Sequence, residues 1–169
     1  MPNVYLVGMM GSGKTVTGKK LASLLGREFV DLDALVEEKS GRTIVNIFEK
    51  QGEEFFRGIE SEALREPSDG PRVVATGGGI ILRPENVRHM RNSGTVVYLE
   101  TGAEALWQRV RGRSDRPLLK GADPKEKLAQ ILAARRSLYE QASDFRVATD
   151  GRTAEAVAEE IFKRLEKEL

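Results

Sequence analysis

Gly8-Met9-Met10-Gly11-Ser12-Gly13-Lys14-Thr15 follows the apolar run Val4-Tyr5-Leu6-Val7 and leads into a helical pattern from Lys14 to Leu25. These residues satisfy G-x-x-x-x-G-K-[ST] in the context the pattern requires, between a strand and a helix. The glycines let the backbone curl until successive N–H groups converge on one point, where the helix N-terminus adds partial positive charge. Gly11, Ser12 and Gly13 make that curl, Lys14 can reach the outer phosphates of a bound nucleotide, and Thr15 can offer its hydroxyl to Mg²⁺. The alternative, a glycine-rich turn that binds nothing, leaves the complete motif and its placement unexplained. The motif alone does not separate a kinase from a GTPase or a motor ATPase.

Working outward, Phe29-Val30-Asp31, Val73-Val74-Ala75, Thr95 to Leu99 and Phe145 to Thr149 read as four further strands. Between and after them, Asp33 to Ser40, Thr43 to Lys50, Glu53 to Arg65, Pro84 to Met90, Ala103 to Val110, Pro124 to Gln141 and Ala154 to Leu165 carry helical patterns. In the helix after the phosphate loop, Val16, Leu21, Leu24 and Leu25 are expected on the buried side, with Gly26 as its stop. Pro67 to Pro71 reads as a surface turn, and the charged stretch Arg111 to Asp123 as an excursion. Five strands separated by helices predict an α/β fold, a parallel sheet covered on both faces in a three-layer α/β/α sandwich. Residues 1–169 are expected to form a single domain without internal repeats. Periodicity does not order the strands.

The chain has 27 Lys plus Arg against 26 Asp plus Glu, a balance that offers no basic stripe for a nucleic acid. It has no cysteine, so disulfides and thiolate metal sites are excluded, and the single His89 cannot build a zinc cluster. No apolar run approaches a membrane span, and the start of the chain does not read as a signal peptide, so a cytoplasmic location is expected.

Asp31 and Asp33 stand two positions apart at the end of the second strand. If the extended conformation persists, both face the crevice at the carboxyl edge of the sheet. There one could support Mg²⁺ through water and the other could accept a hydrogen bond from a substrate hydroxyl; a solvated strand end with Asp33 capping the next helix is the alternative. Gly77-Gly78-Gly79 after the third strand suggests a close backbone approach to a ligand. Arg57 in its Phe55-Phe56 setting, Arg116 before Pro117-Leu118-Leu119, and Arg135 with Arg136 are candidates to hold a carboxylate if two or three converge. Arg116 sits centrally in the Arg111 to Asp123 stretch, where a closing lid hinged near Gly112 and Gly121 would bring positive charge to a transferring phosphoryl and exclude water.

The ordered set Gly8 to Thr15, Asp31-Leu32-Asp33, Phe55-Phe56-Arg57 with Glu60, Gly77-Gly78-Gly79, Arg116-Pro117-Leu118-Leu119 and Arg135 four residues before Tyr139 closely resembles the shikimate kinase family, in the nucleoside-monophosphate-kinase-like group of P-loop proteins. The resemblance covers essentially the whole chain. It implies a five-stranded parallel sheet of order 2-3-1-4-5, a usually monomeric protein, and transfer of the γ-phosphoryl of MgATP to the 3-hydroxyl of shikimate on the route to chorismate. It further implies that Asp31 supports Mg²⁺ with Thr15, that Asp33 binds substrate hydroxyls and is the candidate base, and that Arg57 and Arg135 bind the shikimate carboxylate. Gly78 and Gly79 would touch the ring, Phe48 and Phe56 would line the pocket, and Glu60 would lie near the substrate arginine. Arg116 would descend onto the phosphates, with Arg109 and Arg152 flanking the adenine. The substrate-binding segment would span about 33–61 and the lid about 111–123. Two rival readings are a small-metabolite kinase such as a gluconate kinase, not expected to combine Asp-x-Asp, the triple glycine and Arg-Pro-Leu-Leu, and an ATP-binding regulatory module without catalysis.

Overall fold

Along β1 (Asn3–Val7), Val4 and Leu6 turn to one face of the sheet and Tyr5 and Val7 to the other, and all four are buried. A strand buried on both faces belongs in the middle of a covered parallel sheet. In the computed structural model, which describes residues 2–113 and 115–167, β1 pairs in parallel with β3 (Arg72–Ala75) on one side and β4 (Gly94–Glu100) on the other. β2 (Glu28–Asp31) pairs with β3 and β5 (Phe145–Ala148) with β4, completing a five-stranded sheet of order β2-β3-β1-β4-β5. Leu6 and Asp31 both register with Ala75, so the loops after β1, β2 and β3 leave the sheet side by side.

The Val4–Leu6 face is covered by α1 (Lys14–Leu25) and α7 (Ala154–Lys167), through Leu21, Ala22, Val157, Ala158 and Ile161. The opposite face carries α2 (Leu32–Ser40), α3 (Ile44–Leu64), α4 (Pro84–Ser93), α5 (Ala103–Val110) and α6 (Pro124–Ala142), whose apolar sides pack around Tyr5, Val7 and Tyr98. Short 3₁₀ turns at Ile80–Leu82 and Pro117–Leu119 add to the expected elements. No helix among the described residues is long and apolar enough to cross a membrane.

Three local expectations change. The buried stripe of α1 is Thr17, Gly18, Leu21 and Ala22, while Val16 and Leu24 stand 54% and 46% exposed. Small residues face the sheet because α1 approaches it closely: a Cβ on Gly18 would sit 2.6 Å from the Phe29 ring. The strand does not continue through Asp33. Helix α2 begins at Leu32, with Asp31 as its N-cap accepting from the Ala34 N–H at 3.1 Å. Finally, the two helical pieces expected between Thr43 and Arg65 form one element, broken by non-helical backbone at Gly52 (φ 83°, ψ 171°).

If α1 packs this way, Leu21→Ala should cost about 3 kcal/mol of stability through the cavity it leaves. Val16→Lys should stay within about 0.5 kcal/mol of the parent, as surface substitutions do. Urea denaturation of both variants checks the assignment, and a large loss in Val16→Lys would contradict it.

Candidate active site

The loop between β1 and α1 turns tightly, with the Ser12 N–H donating to the Met9 carbonyl at 3.1 Å. Gly11 has φ 80°, and a Cβ there would sit 2.7 Å from Val110 Cγ1, so the curl excludes any larger residue. Lys14 Nζ folds over its own loop, donating to the carbonyls of Gly8 (2.6 Å) and Met9 (2.9 Å). Burial pulls the Lys14 pKa down to about 8, against the attraction of Asp33; Arg116 pushes the same way as burial. An arriving polyphosphate would raise that pKa again by favouring the charged ammonium.

Thr15 Oγ1 donates to Asp31 Oδ2 at 2.7 Å. A hydroxyl and a carboxylate so close form a hard-oxygen pair, the kind of donor set that suits Mg²⁺ completed by waters and substrate phosphates. The two residues therefore fit the metal that the motif implies.

On the acceptor side, Asp33, Phe48, Phe56, Arg57, Glu60, Gly77, Gly78, Gly79, Arg116 and Arg135 all line one cleft beside the phosphate loop. Asp33 reaches it from the first turn of α2, not by strand alternation. Burial raises the Asp33 pKa, opposed chiefly by Lys14. Arg57 is 6% exposed, donating to Glu60 Oε1 at 3.0 Å and Glu53 Oε1 at 3.3 Å. Arg135 is 7% exposed and lines the cleft, whereas Arg136 on the same helix is turned to solvent and does not. Arg57 Nε, Arg135 Nη1 and Glu60 Oε2 are buried without hydrogen-bond partners. Such orphaned groups are costly in a finished core and ordinary in a site that awaits a ligand.

The glycines after β3 admit these side chains. A Cβ on Gly79 would overlap the Arg57 guanidinium, and one on Gly77 would overlap Glu60 and crowd Asp33. Glu60 is fully buried, and burial raises its carboxyl pKa to about 7 in spite of Arg57.

From the stretch after α5, Asp115, Arg116, Pro117 and Leu118 border the cleft, and Leu119 is anchored in the core. Arg116 Nε is likewise buried without a partner. Gly112 (φ 78°) and Gly121 (φ 112°) flank the segment, and Lys120 ties it to Glu49 on α3 at 2.7 Å. Ser114, inside the expected lid, lies outside the described residues.

Arg109 and Arg152 lie away from the cleft. Arg109 donates to the Gly11 carbonyl at 2.9 Å, and Arg152 is held by Glu160 Oε2 at 2.7 Å and the Ala148 carbonyl at 2.9 Å. Met10 and Ile44 also line the cleft and were not singled out from the sequence. Met10 occupies a variable position of the phosphate motif, and Ile44 looks like any apolar helix residue, so neither carried a distinguishing signal. A larger surface groove, ≈ 610 Å³, lies between Gly26–Glu28 and Glu66–Arg72 and contains none of the expected site residues.

A parallel 2-3-1-4-5 sheet with a phosphate loop after β1 and an arginine-bearing segment bordering the adjoining cleft defines the nucleoside-monophosphate-kinase-like class of P-loop proteins. The shikimate kinase family model matches residues 10–166. The shikimate kinase of Symbiobacterium thermophilum is 46% identical over 168 residues, covering 98% of this chain and 97% of that protein. The structure of shikimate kinase from Acinetobacter baumannii in complex with shikimate superimposes with a TM-score of 0.95 at 41% identity, covering 99% of this chain and 94% of that one. This chain belongs to the shikimate kinase family. A gluconokinase from Sinorhizobium meliloti covers 98% of this chain and 92% of its own, with a TM-score of 0.59 and 18% identity, a likeness of fold alone.

The Glu60 carboxyl predicts a pH signature. Because its folded pKa is raised, it binds protons that the unfolded chain releases near 4.5, so its stabilising contribution is full below that pH and is lost as pH rises through about 7. Comparing denaturation of the parent with Glu60→Gln between about pH 5 and about pH 8, the parent should lose stability relative to the variant as pH rises. A difference independent of pH would show that Glu60 ionises normally.

Proposed function

We propose that this protein transfers the γ-phosphoryl of ATP to the 3-hydroxyl of shikimate, giving shikimate 3-phosphate and ADP. The observation that carries this reading is the pair of buried arginines, Arg57 and Arg135, each with an orphaned N–H donor in a cleft that also holds Asp33 and bare glycine backbone. An acceptor with a carboxylate at one end and hydroxyls at the other answers both halves of that cleft. The paired donors suit the planar carboxylate. Asp33 accepts the hydroxyl to be phosphorylated and orients it toward the phosphate loop. Phe48 and Phe56, with ring centroids 5.0 Å apart, give the ring an apolar wall, and Glu60 holds Arg57 in place.

On the donor side, Gly11 to Thr15 cradle the polyphosphate with backbone N–H groups, and Lys14 leaves the carbonyls of Gly8 and Met9 to take up the outer phosphates. Thr15 and Asp31 would hold Mg²⁺, which neutralises phosphate charge when bound. Arg116 comes to the transferring group from the lid and helps exclude water. Catalysis is then mostly positioning and charge stabilisation, because a loose transition state leaves little covalent work for the protein. Asp33 acts chiefly by aligning the nucleophile, and its raised pKa makes it a competent proton acceptor late in transfer. Arg109 and Arg152 serve the nucleotide from outside the cleft, and we infer a monomer, as the resemblance to the family implies.

The direct test is an ATP-dependent assay that reads phosphorylated shikimate itself, run beside gluconate and nucleoside monophosphates. Turnover of gluconate in preference, or of no acceptor, would replace this reading with one of its rivals. Arg57→Ala and Arg135→Ala should each raise KM for shikimate roughly 10- to 100-fold, the worth of a charged hydrogen bond, with nucleotide affinity nearly unchanged. Arg136→Ala should change neither. Equal losses for both substrates in the Arg57 and Arg135 variants would contradict this division of labour.

A further inference from the structure

Tyr139 is fully buried on α6, one turn after Arg135, and its hydroxyl donates to the Gly78 carbonyl at 2.5 Å. Its ring stacks on Tyr98 of β4, with centroids 5.1 Å apart and planes 19° apart. Tyr98 is in turn registered with Val7, the last residue before the phosphate loop. The ring is thus held by the sheet, and its hydroxyl donates to the Gly78 carbonyl while also lying against the Arg135 side chain.

That carbonyl belongs to the least self-supporting stretch of the site. Gly77, Gly78 and Gly79 have no side chains to hold them, and three glycines lose the most conformational freedom on being ordered. The 3₁₀ turn fixes both ends, since the Ile80 N–H donates to the Gly77 carbonyl at 3.2 Å and the Leu82 N–H to the Gly79 carbonyl at 3.1 Å. The peptide between Gly78 and Gly79 gains no such support from the backbone. Among the described residues, neither the Gly78 nor the Gly79 N–H donates to a backbone carbonyl.

A trans peptide is planar, with its C=O and N–H pointing in opposite directions. A group that fixes the Gly78 carbonyl therefore also fixes the Gly79 N–H. We propose that Tyr139 is a positioning residue for the acceptor: its hydroxyl holds the Gly78 carbonyl on the α6 side and so turns the Gly79 N–H into the cleft, as a preset donor to a substrate oxygen. Gly78 is also where the two halves of the site meet. A Cβ there would lie 3.5 Å from the Met10 backbone nitrogen and 3.6 Å from Arg135 Nη1. A rotated Gly78–Gly79 peptide would disturb the acceptor side first. Burial lifts the Tyr139 hydroxyl pKa to about 12, so it remains a donor across the working pH range.

The inference rests on the shikimate reading given above. Tyr139→Phe keeps the ring, its volume and its stacking, and removes only the hydroxyl. It should raise KM for shikimate about tenfold, the worth of one hydrogen bond, while kcat and KM for ATP stay within about twofold. Tyr98→Phe, which leaves the Gly78 contact intact, should behave as the parent. Unchanged KM for shikimate in Tyr139→Phe overturns the proposal, and so does a parallel loss in kcat and both KM values with a lowered melting midpoint, which marks a structural role. If Tyr139→Phe does not fold, hydrogen exchange on the parent decides: shikimate should slow exchange at the Gly79 amide, and no protection there overturns the proposal. A parent protein that does not phosphorylate shikimate refutes the functional reading. A parent that does, with an indifferent Tyr139→Phe, refutes this inference alone.

Discussion

A guanidinium taken out of water must find counter-charge, because its desolvation costs several kcal/mol. Arg57 meets that demand partly within its own helix. Glu53 and Glu60 lie one turn to either side of it, and Glu60 is itself fully buried. The pairing is incomplete, for Arg57 Nε and Arg135 Nη1 remain without partners while Glu60 Oε2 has no donor. The rest of the acceptor cleft follows from accommodating this partly satisfied cluster. Gly77 and Gly79 are bare because Glu60 and Arg57 occupy the space a Cβ would need, and the Phe56 ring lies 5.2 Å from the Arg57 guanidinium.

The parallel sheet explains why donor and acceptor meet. In such a sheet every strand delivers its carboxyl end to the same edge. Register places the ends of β1, β2 and β3 side by side, so the phosphate loop, the Asp31–Asp33 corner and the triple glycine converge without long excursions. α6 then crosses the same face and contributes Arg135 and Tyr139 from one side of a single helix. Charged groups of both signs are buried together there, and desolvation lowers the Lys14 pKa and raises those of Asp33 and Glu60, each shift being partly offset by the opposite charges nearby.

Much of this was legible in the residues because the signals were local. A phosphate loop is set by its own glycines and its flanking strand and helix, and Lys14 to Leu25 was helical as read. Reasoning from local pattern failed where neighbours decide. Val16 and Leu24 are apolar yet exposed, since close approach of α1 to the sheet favours Gly18 and Ala22 on the inner stripe. Asp33 lines the cleft as expected, but by way of a helix turn, because Asp31 caps α2 and ends the strand. Strand order came from a family resemblance, as no periodicity encodes which strands pair.

The chain's own order of residues determined the alternation of strands and helices, the phosphate loop, and a shortlist of arginines and acids around it. These are consequences of short-range sterics, hydrogen bonding and periodicity, which act within a few residues. Which arginines would be buried, Arg135 and not Arg136, was decided only by tertiary packing, as were the empty donors of the cleft and the union of Tyr139 with Gly78. Those features depend on segments 61 residues apart in the chain arriving at hydrogen-bond distance, and burial is a property of the assembled layers.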